Sequence, residues 1–225
     1  MLHPLDNPAF NALISGDEHL GSGDERIRLF DPRVSPFAGI RDDHTSGLEE
    51  IHQITAPGRR ILIAIPHKIM IPKGWKIMAH LNGLQFIYEN KEVAMPEFEK
   101  VPLKDEHIKE MMELTQLTKP GPFDERTIDF GEYYGIFEND RLASMAGQRL
   151  HVFDHSEISA VCTHPDFLGK GYAAKLLTFQ LHLITSRGKI PFLHVRADNK
   201  RAISLYERTG FKVRSEMNFY FLRRE

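Results

Sequence analysis

Residues 157–174 constrain this chain more than any other stretch, because they read as a strand, a turn and a helix start in close succession. Residues 157–163 carry β-branched Ile158, Val161 and Thr163 and are stopped by Pro165, which predicts a strand. Residues 166–171 are a turn with two glycines, Gly169 and Gly171, one position apart. From Tyr172 a helix is predicted, with Ala173, Leu176, Leu177, Leu181 and Ile184 at the spacing of one buried face.

A strand that feeds a glycine turn opening a helix has a physical use. Without a Cβ, the two glycines take unusual backbone angles and let an anion come close. The free N–H groups of the first helical turn, aligned with the helix dipole, suit phosphate, and Lys170 adds charge beside them. Two better-known phosphate patterns fail. Ala174 stands where the dinucleotide pattern G-x-G-x-x-G needs its last glycine, and the acidic residue about 20 positions on is missing. No G-K-[ST] follows a four-residue gap, so the nucleotide-hydrolase loop is excluded too.

Charge is distributed to match. The formal net charge of −2 gives no reason to expect nucleic acid. From Pro165 onward, however, 12 Lys/Arg stand against 5 Asp/Glu. Alone that is a solvated basic face; beside an anion loop it suits an anionic cofactor. The single cysteine, Cys162, excludes an internal disulfide, fits a reducing compartment and reads as a core thiol. No apolar run approaches the ~20 residues of a membrane span, and the start of the chain lacks a basic region followed by an apolar one. The cytoplasm is the default location, with no membrane and no nucleic-acid partner expected. No Cys/His cluster has zinc spacing, so no metal is expected.

The rest of the chain divides near residue 96, giving an N-terminal half-domain of unknown role at 1–96 and a second unit at 97–225. In the first, short helices are predicted at 9–13 and 45–54, strands at 27–30 and 60–65, and one or two strands at 75–88 around the turn-forming Asn82-Gly83. In the second, a strand at 98–101 precedes an amphipathic helix at 104–117 and a short helix at 124–130. A hairpin at 133–152 turns at Asn139-Asp140, and another turn at Asp154-His155 leads into the strand at 157–163. Beyond the central helix come a strand at 190–195, a helix at 200–209 capped by Asn199 and stopped by Gly210, and one or two strands at 211–222. The order from 97 on is α/β, a mixed α+β sheet with helices on both faces.

The six positions Leu168-Gly169-Lys170-Gly171-Tyr172-Ala173 resemble motif A of the GNAT acyltransferase superfamily, [Q/R]-x-x-G-x-[G/A] between a strand and a helix. The departure is Leu168, where the family prefers Gln or Arg. Residues 199–211, from Asn199 through Ala202, Leu205, Tyr206 and Gly210 to Phe211, match every position of motif B, N-x-x-A-x-x-[LF]-Y-x-x-x-G-F. The resemblance covers about 97–225 and implies the GNAT fold with an N-terminal extension, and an N-acetyltransferase that uses acetyl-CoA in a ternary complex with a small amine or amino-acid acceptor. A homodimer is compatible with it. A non-catalytic acyl-CoA sensor and a protein lysine or N-terminal acetyltransferase are the alternatives.

The resemblance also assigns residues. The cofactor arm is implied to pair with Val161, Cys162 and Thr163, its pyrophosphate to rest on the amides of Leu168, Gly169, Lys170, Gly171, Tyr172, Ala173 and Ala174, and Asn199 to hydrogen-bond the arm. Val161 N–H is the implied oxyanion donor. Tyr206 lies two helical turns after Asn199, on the same side, and is the implied acid for the leaving thiolate. Glu157, eleven residues before Leu168, is the candidate base; a carboxylate at a sheet edge beside a pocket is expected to have a raised pKa. A water relay, or His151, His155, His164 or His194, is the alternative.

Overall fold

A computed structural model of the protein describes residues 3–90 and 93–225, so Met1, Leu2, Lys91 and Glu92 lie outside it. Eleven strands and five α-helices are described. The N-terminal region holds α1 (Pro8–Leu13), a small antiparallel sheet of β1 (Gly21–Gly23), β2 (Ile27–Phe30) and β3 (Ala38–Ile40), then α2 (Gly47–Ile54), β4 (Arg60–Ile65) and β5 (Trp75–Ile87). There follow β6 (Val101–Pro102), α3 (Ile108–Thr118), β7 (Tyr134–Glu138), β8 (Arg141–Val152), β9 (His155–Thr163), α4 (Tyr172–Ser186), β10 (Ile190–Arg196), α5 (Lys200–Thr209) and β11 (Lys212–Arg224).

Eight strands form one mixed sheet in the order β4-β11-β5-β10-β9-β8-β7-β6, in which only β9 and β10 run parallel. Residues on both sides of position 96 therefore share this sheet: β11 pairs with β4 on one edge and β5 on the other. A cut at 96 would strip two strands from it. One face packs against α1 and α3, burying Leu13, Met111, Met145, Phe192 and Met217. The other packs against α4 and α5, burying Phe86, Ile158, Leu177, Leu181 and Leu193. No described helix is long and apolar enough to cross a membrane.

Two expectations are corrected. Asn82-Gly83 does not turn; β5 runs straight through it, with Asn218 opposite Asn82 and Met217 opposite Gly83. Gly83 is needed there because a Cβ would stand 2.2 Å from the Phe219 ring. The turn into β9 falls at Phe153-Asp154, since Val152 pairs with His155. That turn, together with a bulge at Leu150 (φ 45°) between Arg149 and His151, sets Arg149 opposite Glu157.

Candidate active site

β9 and β10 stay paired only from His155–Ile190 to Glu157–Phe192. Beyond that point β10 continues against β5 and β9 against β8, so the two parallel strands part. On the β8 side, β9 is bulged. Gly147 pairs with Ser159 and Met145 with Cys162, which leaves Ala160 and Val161 opposite one residue, with Ala160 at φ 53°. A left-handed backbone at a non-glycine residue is rare and held in place by its surroundings. Here it lies just where the strands separate.

The gap opens into a cavity of about 600 Å³. Val161, Cys162 and Thr163 line it from β9, and Leu168, Gly169, Gly171, Tyr172, Ala173 and Ala174 from the turn and α4. Gly169 and Gly171 both take positive φ, 83° and 76°, and a Cβ on either would meet nothing within 4 Å. No side chain caps the first turn of α4, so its N–H groups stay available. Lys170 does not line the cavity; its ammonium is held by Glu138, which also accepts from the Tyr172 hydroxyl at 2.5 Å.

From the opposite side α5 presents Asn199, Ala202, Leu205 and Tyr206. Asn199 caps α5, its side-chain oxygen accepting from Ala202 N–H at 3.1 Å. Tyr206 is buried, and among the described residues its hydroxyl has no hydrogen-bond partner. Burial, and then the nearness of Cys162 and Glu157, pushes its pKa up to about 12. Cys162 is likewise pushed up to about 12 by burial, so its sulfur stays protonated and is no nucleophile.

Glu157 is not at a solvent edge. It is 1% exposed and absent from the cavity wall. Its Oε1 accepts from Arg149 Nη2 at 2.7 Å and His194 Nδ1 at 2.8 Å, and its Oε2 from Arg149 Nε at 2.9 Å. Burial alone would raise its pKa, but the Arg149 guanidinium and then His194 bring it down to about 2. The expected raised pKa is therefore corrected: the guanidinium fork, which only the bulged register of β8 brings to Glu157, overrides desolvation.

His194 is the histidine that reaches the cavity, and its state follows from its neighbours. Gln85 Nε2 donates to the Leu5 carbonyl at 2.8 Å, while Gln85 Oε1 accepts from Arg214. A carbonyl only accepts and a guanidinium only donates, so the amide has one orientation. Gln85 Nε2 must then donate to His194 Nε2 at 2.8 Å, and His194 Nδ1 carries the proton facing Glu157. Arg214 also donates to Asp6 at 2.6 Å. A row of polar groups thus crosses four neighbouring strands and ends on the N-terminal segment. Of the other candidates, His151 is tied to Asp17 at 2.7 Å, His164 sits beside Arg141 and Asp166, and His155 meets Phe192 edge-on; none lines the cavity. No described group of His, Cys, Asp and Glu has the makings of a metal site.

Sequence reasoning missed the other wall: Phe37, Leu62, Leu81, Phe219 and Phe221, with residues 118–122 and Arg149. The available signal was Arg149 itself, the one charged residue in the buried run 142–150.

Residues 133–220 match the family described as FR47-like protein. A crystal structure from Novosphingobium aromaticivorans DSM 12444, assigned to the GNAT family as an acetyltransferase, is 31% identical over 100% of both chains with a TM-score of 0.93. The [ribosomal protein bS18]-alanine N-acetyltransferase of Salmonella typhimurium is 31% identical over 106 residues, 44% of this chain and 71% of that one. A GCN5-related N-acetyltransferase from Kribbella flavida shares the fold, with a TM-score of 0.66 over 94% of this chain and 93% of that one at 13% identity. The parted strands, the glycine turn and these similarities agree, and the chain belongs to the GNAT family of acyl-CoA-dependent N-acyltransferases.

Proposed function

We propose that the protein transfers an acetyl group from acetyl-CoA to the primary amine of a small molecule or amino acid by direct attack. The observation that carries this is the parting of β9 and β10 directly above an uncapped helix start with two left-handed glycines. The open space over Gly169 and Gly171 fits a diphosphate held by main-chain N–H groups from Leu168 to Ala174. Val161, Cys162 and Thr163, on the edge of β9 that β10 has left, fit an extended amide-bearing arm. Acetyl-CoA supplies an activated thioester.

The chain's own residues then do three things. The bulge takes Val161 out of register with β8, which supports its N–H as the oxyanion donor. Tyr206 keeps its proton at every working pH and offers it to the departing sulfur; with a pKa well above the ~8.5 of an ordinary thiol, it acts as a hydrogen-bond donor more than as a full acid. The cavity disfavours an ammonium: Arg149 and Lys119 line it, and no described Asp or Glu does. The acceptor therefore enters as the neutral amine, losing its proton to water, and Glu157 is a positioning residue that fixes His194 and Arg149. Phe37, Leu62 and Leu81 line the cavity from the region before residue 96, which supports a part for that region in holding the acceptor.

Calorimetry with coenzyme A tests the reading. Wild-type protein should bind it, and Gly171→Val, a β-branched residue at φ 76°, should weaken that affinity at least about tenfold with the fold intact. No heat with wild type, or undiminished affinity in the variant, sinks the proposed site. The Salmonella relative, named for an alanine of a ribosomal protein, favours a second reading in which the acceptor is a protein N-terminus. Peptides beginning with alanine belong in the amine panel for that reason. A protein that binds acetyl-CoA and turns over no amine would be a sensor.

A further inference from the structure

We infer that Arg149 selects an acceptor that carries a carboxylate on an apolar body, the chemistry of a hydrophobic free amino acid. The inference rests on the acyl-transfer reading and names its substrate class. A guanidinium has two edges able to grip a carboxylate in bidentate fashion. In Arg149 the Nε/Nη2 edge is taken by Glu157. The Nη1/Nη2 edge is free: Nη1 has no partner among the described residues and is not one of the sealed, unpartnered polar atoms. The side chain keeps 10% exposure, and that exposure faces the cavity.

The guanidinium is held for this task. The Phe37 ring covers one face, 4.8 Å from Cζ, and Glu157 fixes the adjacent Nε/Nη2 edge. Gly121 arches over it; a Cβ there would stand 3.9 Å from Nη1. Glu157 also shares its charge with the proton on His194, so it does not exhaust the arginine. The surrounding wall of Leu62, Leu81, Phe219 and Phe221 is apolar. No described carboxylate lines the cavity, so a polyamine or other poly-cation finds no counter-charge. A rigid fork in an aliphatic and aromatic pocket is the complement of a carboxylate beside an apolar side chain.

The test uses reaction products, whose nitrogen no longer titrates. With the protein saturated by coenzyme A, N-acetyl-L-phenylalanine and its amide are titrated by calorimetry. The acid should bind about 30-fold more tightly, as expected for a charge-assisted bidentate pair. In Arg149→Lys that preference should fall below about threefold while coenzyme A affinity is unchanged. If Arg149→Lys does not fold, the neutral pair Arg149→Met with Glu157→Gln carries the same expectation. Equal binding of acid and amide by wild type, binding of neither, or a preference that survives in the folded variant overturns the inference. Coenzyme A binding, read in the same experiment, separates the cases: its presence without acid preference sinks this inference alone, and its absence sinks the acyl-transfer reading as well.

Discussion

Tyr206→Phe should lower kcat by about 10²-fold while leaving coenzyme A affinity nearly unchanged. The substitution removes one oxygen from a buried ring that packs against Phe86 and Phe211, so the core keeps its shape. The hydroxyl has no other described partner, so its loss strands nothing. What disappears is a donor that becomes important only as the sulfur gains charge. Because the pKa is pushed up to about 12, the phenol should cause no loss of rate on the alkaline side until near that pH. A variant with wild-type kcat, or one whose coenzyme A affinity collapses, would remove Tyr206 from the chemistry.

Glu157→Gln should destabilise the fold by about 3 kcal/mol and lower Tm by about 10 °C at neutral pH, because it leaves the buried Arg149 charge without its counter-ion. The same pair sets the acid behaviour. Glu157 falls from its ordinary 4.5 to about 2 on folding, so its contribution is fully present above pH 4.5 and is lost as pH drops toward 2. That contribution is on the order of 3 kcal/mol, and thermal melts between pH 5 and 2 should show the wild type losing what the variant never had. The pH–rate profile of Glu157→Gln should keep its midpoint, set by the acceptor amine. A midpoint moved to higher pH would return Glu157 to the role of base. Replacing both members, as Arg149→Met with Glu157→Gln, should recover part of the lost stability, since two apolar or neutral groups need no compensation.

These two residues show where the sequence was legible. Tyr206 was placed by a local relation, two helical turns from Asn199 on one amphipathic helix, and local relations survive folding. The glycine turn was equally readable, because positive φ at Gly169 and Gly171 is a property of those residues. Glu157 depended on a register. A turn placed one position late and an unforeseen bulge at Leu150 hid the pairing with Arg149, and a strand read with the wrong partner gives the wrong electrostatics. Asn82-Gly83 failed for a related reason: the dipeptide favours a hairpin locally, but β11 pairs with β5 continuously through it, and the Phe219 ring occupies the space a Cβ at Gly83 would need. The acceptor wall joins Phe37, Leu62 and Leu81 to Phe219 and Phe221, positions whose nearness arises only from the sheet order.

That sheet order has a consequence for synthesis. β11 sits between β4 and β5, yet it is made after every other strand. While the ribosome is still at work, the two earlier strands must wait apart with a vacant lane between them, their apolar flanks uncovered. Closure is thus a late, long-range event with a high contact order, and the nascent chain is most vulnerable to misassociation just before its C-terminal strand arrives.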